Sequence, residues 1–340
     1  MLRPVLWLAL ILELGCSHEP LETTRKTVDL KGKALGTTWT VKIHSADSFD
    51  HAKLRHAIAT EIEQNEKIFS HWRPDCKLHQ FNQAFTTSAL TIHPKLHELL
   101  RHAAWMHRET NGTFDPTIAP LVNLWGFGPD KSLKDPSTEA LAKAKTQVGT
   151  DKLLLSTDDL TLQKKHPELF IDLSAIAKGY AVDQVGLLLE KHGLESYLVE
   201  IGGEIRARGR NLNGAVWHLG IEKPHILPTR EVALVVPLDD LSMATTGNYR
   251  NYYLREDGRK VSHAIDARTA EPVESPFSSV TVLHKDCMRA DALATGFFAL
   301  GREDGLKIAE EHKLAVLYVE PAGESYEVFA SSTFPMFHTK

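Results

Sequence analysis

Along the chain the apolar positions switch repeatedly between a period of about 3.6 and a period of 2. A strand is predicted over 39–43 behind a turn at Gly36, and Leu54, Ile58, Ile62 and Phe69 share one face of a helix over 50–69. A second helix starts at Pro94, carries Leu96, Leu99, Leu100, Ala103 and Met106, and stops at Asn111 and Gly112. The stretch 112–129, GTFDPTIAPLVNLWGFGP, is strongly apolar but holds too many Gly and Pro breakers for a regular element. It predicts an ordered, mostly buried loop. A helix over 137–148 then leads to strands over 153–155, 160–163 and 170–173.

The run 171–204, IDLSAIAKGYAVDQVGLLLEKHGLESYLVEIGGE, is denser in signals. Ser174 is placed to cap a helix on which Ala177, Ala181, Val185 and Leu188 recur, up to a stop at His192 and Gly193; a hairpin over 197–208 turns at Gly202 and Gly203. Lys178 falls in the first turns of that helix, where a cation opposes the macrodipole. Either it is simply solvated or something negative neighbours it: Asp172, Asp183, or a ligand phosphate drawn to the free N–H groups. Further strands are predicted over 217–221, 232–236, 249–254, 260–265 and 279–283, with Asp257 and Gly258 as a hairpin turn. Asp286 caps a helix that Gly301 stops, a helix over 303–312 follows, and strands over 314–319 and 326–329 close the chain. Helices mixed with hairpin-linked strands predict an α+β fold rather than a doubly wound sheet. With no shift of composition after residue 30, one domain is expected over 31–335.

At 340 residues, 42% hydrophobic and 24% charged, the chain has the composition of a soluble globular protein. A net charge of −5 without a basic cluster argues against nucleic acid as the partner. Its 18 histidines are scattered and make neither HExxH nor a paired metal spacing. At the N-terminus, Arg3 precedes a short apolar run from Val5 to Leu12 that ends at Gly15 and Cys16, a secretory layout too short to span a bilayer. The Gly-Cys junction predicts a lipoprotein-type signal over 1–16, cleaved before an acylated Cys16, and a linker over 17–30. Plain secretion is the alternative, since Glu13 and Leu14 depart from the usual lipoprotein pattern. Cys76 and Cys287 lie outside any CxxC, which speaks against a disulfide scaffold or structural zinc and leaves either one bridge or two buried thiols.

Candidate chemistry is thinly spread. ADALATG places Asp291 and Thr295 four apart on one helix face, a carboxylate and a hydroxyl suited to Mg2+ or Ca2+. Alternatively Thr295 bonds back to the carbonyl of Asp291, and Asp291 pairs with Arg289 or a solvent-side cation. In VSHAID, with Ser262 and Asp266 beside it, His263 is a general base if it faces a cavity and a structural residue otherwise. Trp72 in FSHWRPD either stacks on a planar ring or packs the core. GxxxxGK[ST] and GxSxG are absent, and GGE is not a dinucleotide fingerprint.

Taken together and in order, LGTTWTVKI, FDPTIAPLVNLWGFGP, DLSAIAKGYAVD, YLVEIGGEIRARG, TTGNYRNYY, SHAID and ADALATG resemble the ApbE family of FAD:protein FMN transferases, across essentially all of 35–329. The resemblance implies an ApbE-like α+β domain of largely antiparallel sheets with packed helices. It also implies Mg2+-dependent transfer of FMN from FAD, as substrate, to a Ser or Thr hydroxyl of a target flavoprotein, with release of AMP. By position, Trp72 matches the aromatic that stacks on the isoalloxazine ring, and Leu35, Thr113, Phe114, Asp115, Asp172, Lys178 and Ile265 match FAD-contacting positions. Asp291 and Thr295 match the Mg2+ ligands, with the Ala175 carbonyl beside them, and His263 the general base. Leu35 stands where the family usually has Met, and Trp72 where Tyr is common. The family's usual recipients are subunits of sodium-translocating NADH:quinone oxidoreductase and Rnf-type complexes. The location implied is the periplasmic side of the inner membrane, lipid-anchored or soluble. Two alternatives share the cleft: an Mg2+-dependent FAD pyrophosphatase, and an envelope lipoprotein that only binds flavin, although mere storage has no need of a metal beside the pyrophosphate.

Overall fold

Apolar side chains on both faces of the strands over 197–201, 279–284 and 315–322 call for cover on both sides, and the chain supplies helices for one face and a small sheet for the other. The computed structural model describes residues 26–45, 48–128, 135–224, 231–248, 252–254, 260–273, 278–323, 325–335 and 338–339. The main sheet contains β1 (Lys26–Ala34), β2 (Thr37–Ser45), β3 (Tyr197–Ile201), β4 (Glu204–Arg208), β5 (Ser242–Gly247), β6 (Ser279–His284), β7 (Ala315–Ala322) and β8 (Ser325–Ala330). These are antiparallel throughout, and their order in space is their order in the chain. A three-stranded sheet of Trp217–Glu222, Val232–Leu238 and His338–Thr339 adjoins it, and Trp217, Ile221, Leu234 and Val236 pack there with Leu198, Met243, Leu283 and Val319 of the main sheet.

The helices are α1 (His51–Phe69), α2 (Lys77–Gln83), α3 (Pro94–Glu109), α4 (Ala119–Leu124), α5 (Thr138–Thr146), α6 (Ala177–Lys191), α7 (Cys287–Leu300) and α8 (Arg302–His312). In α1, Asp50 accepts from Lys53 N at 2.9 Å as N-cap, and Leu54, Ile58 and Ile62 face Trp39, Val41 and Ile43 of β2. Eleven of the 14 residues of α7 are buried, so it is a core helix wedged among α3, α6, α8 and the sheet rather than an amphipathic one.

Several expectations change. The stretch 170–173 takes no regular secondary structure and joins no ladder, because Asn82 takes both backbone polar groups of Ile171. Ser174 does not cap α6: Ile176 occupies that position without a side-chain cap bond, and residues 174–176 form a turn. The loop over 112–129 contains α4, whose Pro120 sits in the first turn where no amide hydrogen is needed. β1 begins at Lys26, inside the stretch read as a linker, and pairs along its whole length with β2. The strand expected over 260–265 is two pieces, Lys260–Ser262 and Ile265–Asp266, interrupted at His263. Cys76 and Cys287 are separate buried thiols. Residues 1–16 with Cys16, the linker up to residue 25, and the Asp257–Gly258 turn lie outside the described residues. Among the described residues, no helix is long and apolar enough to cross a membrane.

Candidate active site

Two compartments share a wall. The first, of about 450 Å³, runs between Leu35 on the β1–β2 turn and Trp72 after α1, over Phe69, Leu173 and Ala177. The second, of about 530 Å³, is bounded by Thr113, Phe114 and Asp115, by Asp172 and Ala175, by Thr246 on β5, by His263 and Ile265, and by Asp291 and Thr295 on α7. Ser174 and Lys178 line both. Every residue singled out from the sequence as a site residue therefore faces one of two adjoining spaces.

The centre of the site exists because α6 and α7 approach backbone to backbone. A Cβ on Gly179 would lie 2.7 Å from Met288 Cα and still closer to the Cys287 carbonyl oxygen, so only glycine permits the contact. Gly179 N donates to Asp291 Oδ2 at 2.9 Å. Asp183, one turn on, accepts from Cys287 N at 3.0 Å and Met288 N at 2.9 Å, capping α7 from a neighbouring helix while Arg206 holds its Oδ1 at 2.9 Å. The negative group sought for Lys178 is chiefly Glu204, whose Oε1 accepts from Nζ at 2.5 Å. Burial alone would depress Lys178, but the charges of Asp291 and Glu204 outweigh it and hold the ammonium above its ordinary value. The carboxylates are pushed the other way. Burial raises Asp291 despite Lys178 and the Gly179 amide, and burial with Asp291 nearby pushes Glu204 up to about 8.

The wall around Thr113–Asp115 is built from its own hydrogen bonds. Thr113 Oγ1 reaches the carbonyls of Thr110 and Gly296, both at 2.8 Å, which fastens the loop to α7. Asp115 Oδ1 accepts from Thr117 N and Oγ1, and its Oδ2 from Thr150 N at 3.1 Å. Both side chains are thus occupied within the fold, and they shape the cleft rather than reach across it. Asp172 is delivered by the pinned stretch: its N donates to Pro116 O at 2.7 Å, its Oδ1 accepts from Ser174 N at 2.8 Å, and His71 Nδ1 lies 3.4 Å from the same oxygen. Burial pulls His71 below its ordinary value, against the pull of Asp172.

Trp72 is 55% exposed at the mouth of the first compartment, tilted against His71 at 4.9 Å, so core packing is not its role. Opposite it, Leu35 and Gly36 form the two-residue turn of a hairpin, both at positive φ (52° and 70°). A leucine there is strained. Its side chain packs on the cluster of Trp39, Val41 and Val182 and walls the compartment. His263, half-buried in the break between two short strands, lines the second compartment with Asp291 and Thr295 and meets Phe127 edge-on at 6.3 Å.

The donors fit a hard divalent cation. Thr295 Oγ1 lies 3.3 Å from its own helix carbonyl at Asp291 and 3.3 Å from Thr246 Oγ1, so the local back-bond forms while the residue still lines the cleft. Arg289 is drawn away to Asp286 at 3.4 Å and lies over the Trp105 ring, leaving Asp291 to the cleft and to Gly179. Glu204 Oε2 is buried with no hydrogen-bond partner, an orphan that a cation shell would satisfy. Among the described residues no cluster of three or more His, Cys, Asp or Glu is arranged around a metal. A carboxylate, a hydroxyl and a carbonyl suit Mg2+, which keeps much of its shell for water and phosphate. Sequence reasoning assigned no role to Glu204, His71, Asn82 or Thr246; only Glu204, directly behind Gly202–Gly203, carried a visible signal.

The ApbE family model matches residues 35–318. A FAD:protein FMN transferase of Vibrio cholerae is 37% identical over 334 residues, covering 98% of this chain and 97% of its own, and one of Haemophilus influenzae is 38% identical over 315 residues, covering 91% of each. Among solved structures, a flavin transferase ApbE from Vibrio cholerae superposes with a TM-score of 0.82 at 36% identity, covering 91% of this chain and 98% of that one. The apo form of the Pseudomonas stutzeri flavinyl transferase ApbE gives 0.82 at 34% identity, with 91% and 96% covered. With a family-model match over 35–318 and relatives matched along nearly its whole length, the chain belongs to the ApbE family.

Proposed function

We propose that the chain is a FAD:protein FMN transferase that moves FMN from FAD to a Ser or Thr hydroxyl of a target flavoprotein and releases AMP. The observation that carries this is the placement of Lys178 in the wall common to both compartments, with Asp291 and Thr295 beside it. An anionic pyrophosphate belongs at such a cation, and one end of the dinucleotide lies in each compartment. Trp72 stacks on the planar ring opposite Leu35, while Asp172 and the 113–115 wall position the rest of the ligand. A divalent cation held by Asp291, Thr295 and the Ala175 carbonyl supplies neutralisation of phosphate charge when bound. Lys178 adds a fixed positive charge, kept ionised by its two carboxylate neighbours. His263 takes the proton from the target hydroxyl as its oxygen bonds to the FMN-side phosphorus. The bond from that phosphorus to the bridging oxygen breaks, and AMP leaves with that oxygen.

We extend the proposal to the setting that the sequence implies: a bacterial envelope protein on the periplasmic side of the inner membrane, anchored through lipid on Cys16. The recipients would be subunits of sodium-translocating NADH:quinone oxidoreductase or Rnf-type complexes. The relatives' names support the transferase; mass spectrometry of the mature N-terminus tests the anchor. The deciding experiment incubates the chain with FAD, Mg2+ and a recipient domain. The expected result is one FMN added to the recipient, with AMP in solution. Free FMN and AMP without adduct would replace transfer by FAD hydrolysis, and neither product would reduce the chain to a flavin binder.

A further inference from the structure

Glu204 opens β4 immediately after the Gly202–Gly203 turn and is 4% exposed. Its backbone pairs with Ile201 across the turn, so the hairpin does not need its side chain. Oε1 serves Lys178; Oε2 is buried and has no partner, although the residue lines the cleft with Ala175, Thr246, Asp291 and Thr295. A carboxylate oxygen deprived of water with no donor in return is costly to keep. The other carboxylates of this wall are spoken for: Asp115 by Thr117 and Thr150, Asp172 by Ser174 and His71. Around Lys178 one ammonium faces two carboxyl groups, Glu204 and Asp291, and a second positive centre with hard-oxygen preference would let both ionise.

We propose that Glu204 is a second carboxylate of the divalent-cation centre, presenting its free oxygen to the cation or to a water of the cation's shell. This rests on the reading that Ala175, Asp291 and Thr295 hold a divalent cation. Glu204 thereby does two things at once: one oxygen orients Lys178 and the other adds negative charge to the metal site.

The test is a Mn2+ titration of the purified chain without FAD, following the electron paramagnetic resonance signal of free Mn2+. Glu204→Gln, which keeps an oxygen for Lys178 but loses the charge, is expected to weaken Mn2+ binding about tenfold or more. Glu204→Asp, which keeps the charge, is expected to recover part of that loss and covers the case in which the glutamine variant folds poorly. FAD binding measured in EDTA by flavin fluorescence is expected to fall less than Mn2+ binding does, because it reads only the support of Lys178 and not the metal. Unchanged Mn2+ affinity in Glu204→Gln overturns the proposal. So does an equal loss of metal-free FAD binding, which would make Glu204 only a support for Lys178. A parent chain that binds no Mn2+ overturns the metal reading beneath it, whereas binding by parent and variant alike overturns the role of Glu204 alone.

Discussion

Asn82 holds Ile171 by both of its backbone polar groups: Nδ2 donates to the Ile171 carbonyl at 2.8 Å, and the Ile171 amide donates to Oδ1 at 2.9 Å. One side chain thus does the work of a neighbouring strand for the segment that delivers Asp172 and Ala175 to the cleft. Behind it the ammonium of Lys164, 1% exposed, donates to the carbonyls of Phe81, Asn82 and Pro167 and closes the end of α2 over the same spot.

Asn82→Ala strands two buried backbone groups and is expected to cost about 2–4 kcal/mol of stability. Urea denaturation with an unchanged m-value checks this, and FAD affinity should fall with it because Asp172 is no longer pinned. A loss below about 1 kcal/mol would mean that water replaces the clamp.

Gly179→Ala forces a methyl group against the backbone of Cys287 and Met288, atoms that cannot move without separating α6 from α7. Overpacking of this kind costs about 1–3 kcal/mol. Transfer activity should drop further than stability, since Lys178 and Asp291 ride on the two helices being pushed apart; single-turnover rates at a temperature where the variant is fully folded separate the two effects.

Leu35→Gly should move stability and binding in opposite directions. Removing a side chain from a residue at φ 52° relieves about 1 kcal/mol of backbone strain, partly offset by the added freedom of the unfolded chain. The first compartment meanwhile loses a wall opposite Trp72. A melting temperature at or above the parent's, with weaker FAD binding by fluorescence titration, is the expected pair of results.

Glu204 fixes the sign of a pH effect. Its folded value, about 8, lies above its unfolded value of about 4.5, so the folded state binds the extra proton between them. Its contribution is complete below the unfolded value and is lost as pH rises through the folded one. Metal-free parent protein should lose stability relative to Glu204→Gln as pH rises from about 4.5 towards 8. Melting curves in EDTA across that window check it; a difference that stays flat with pH would place the proton elsewhere.

Asp291→Ala is expected to abolish metal-dependent turnover and Mn2+ binding while FAD still enters the cleft. His263→Ala should lower transfer by about 10²- to 10⁴-fold and flatten its rise with pH. Rapid-mix assays of FMN transfer against pH read both, and an unaltered profile for the histidine variant would remove it as the base.

What the sequence made legible follows from how local each signal is. The helices α1 and α3 announce themselves through Asp50 and Pro94 and through apolar spacing that needs no knowledge of a partner, and α7 through its stop at Gly301, although Asp286 holds its N-cap position without a side-chain cap bond. β5, SMATTG, is hidden because a central strand of small and polar residues has no alternation to read; its fit comes from β6, where Thr245 meets Thr281 hydroxyl to hydroxyl at 2.8 Å. β1 is an edge strand whose first residues, Lys26 and Asp29 among them, fall in the stretch read as a linker, although charge is what keeps an edge from pairing further. In the site, Asp291 and Thr295 were visible as a spacing of four. Asp183 capping α7 from 104 residues away, and Glu204 on β4 meeting Lys178 on α6, were not, because those pairings exist only after the chain has folded.

The shared wall at Ser174 and Lys178 has a consequence for turnover. Under the proposed function, a dinucleotide spanning both compartments would be held as a bidentate ligand: once one end is seated, the other would meet its own pocket at high effective concentration. Severing the tether over Lys178 would remove that advantage in a single step. Each half would then keep only the affinity of one compartment, so the geometry that grips the intact substrate would be the same geometry that lets the leaving half go.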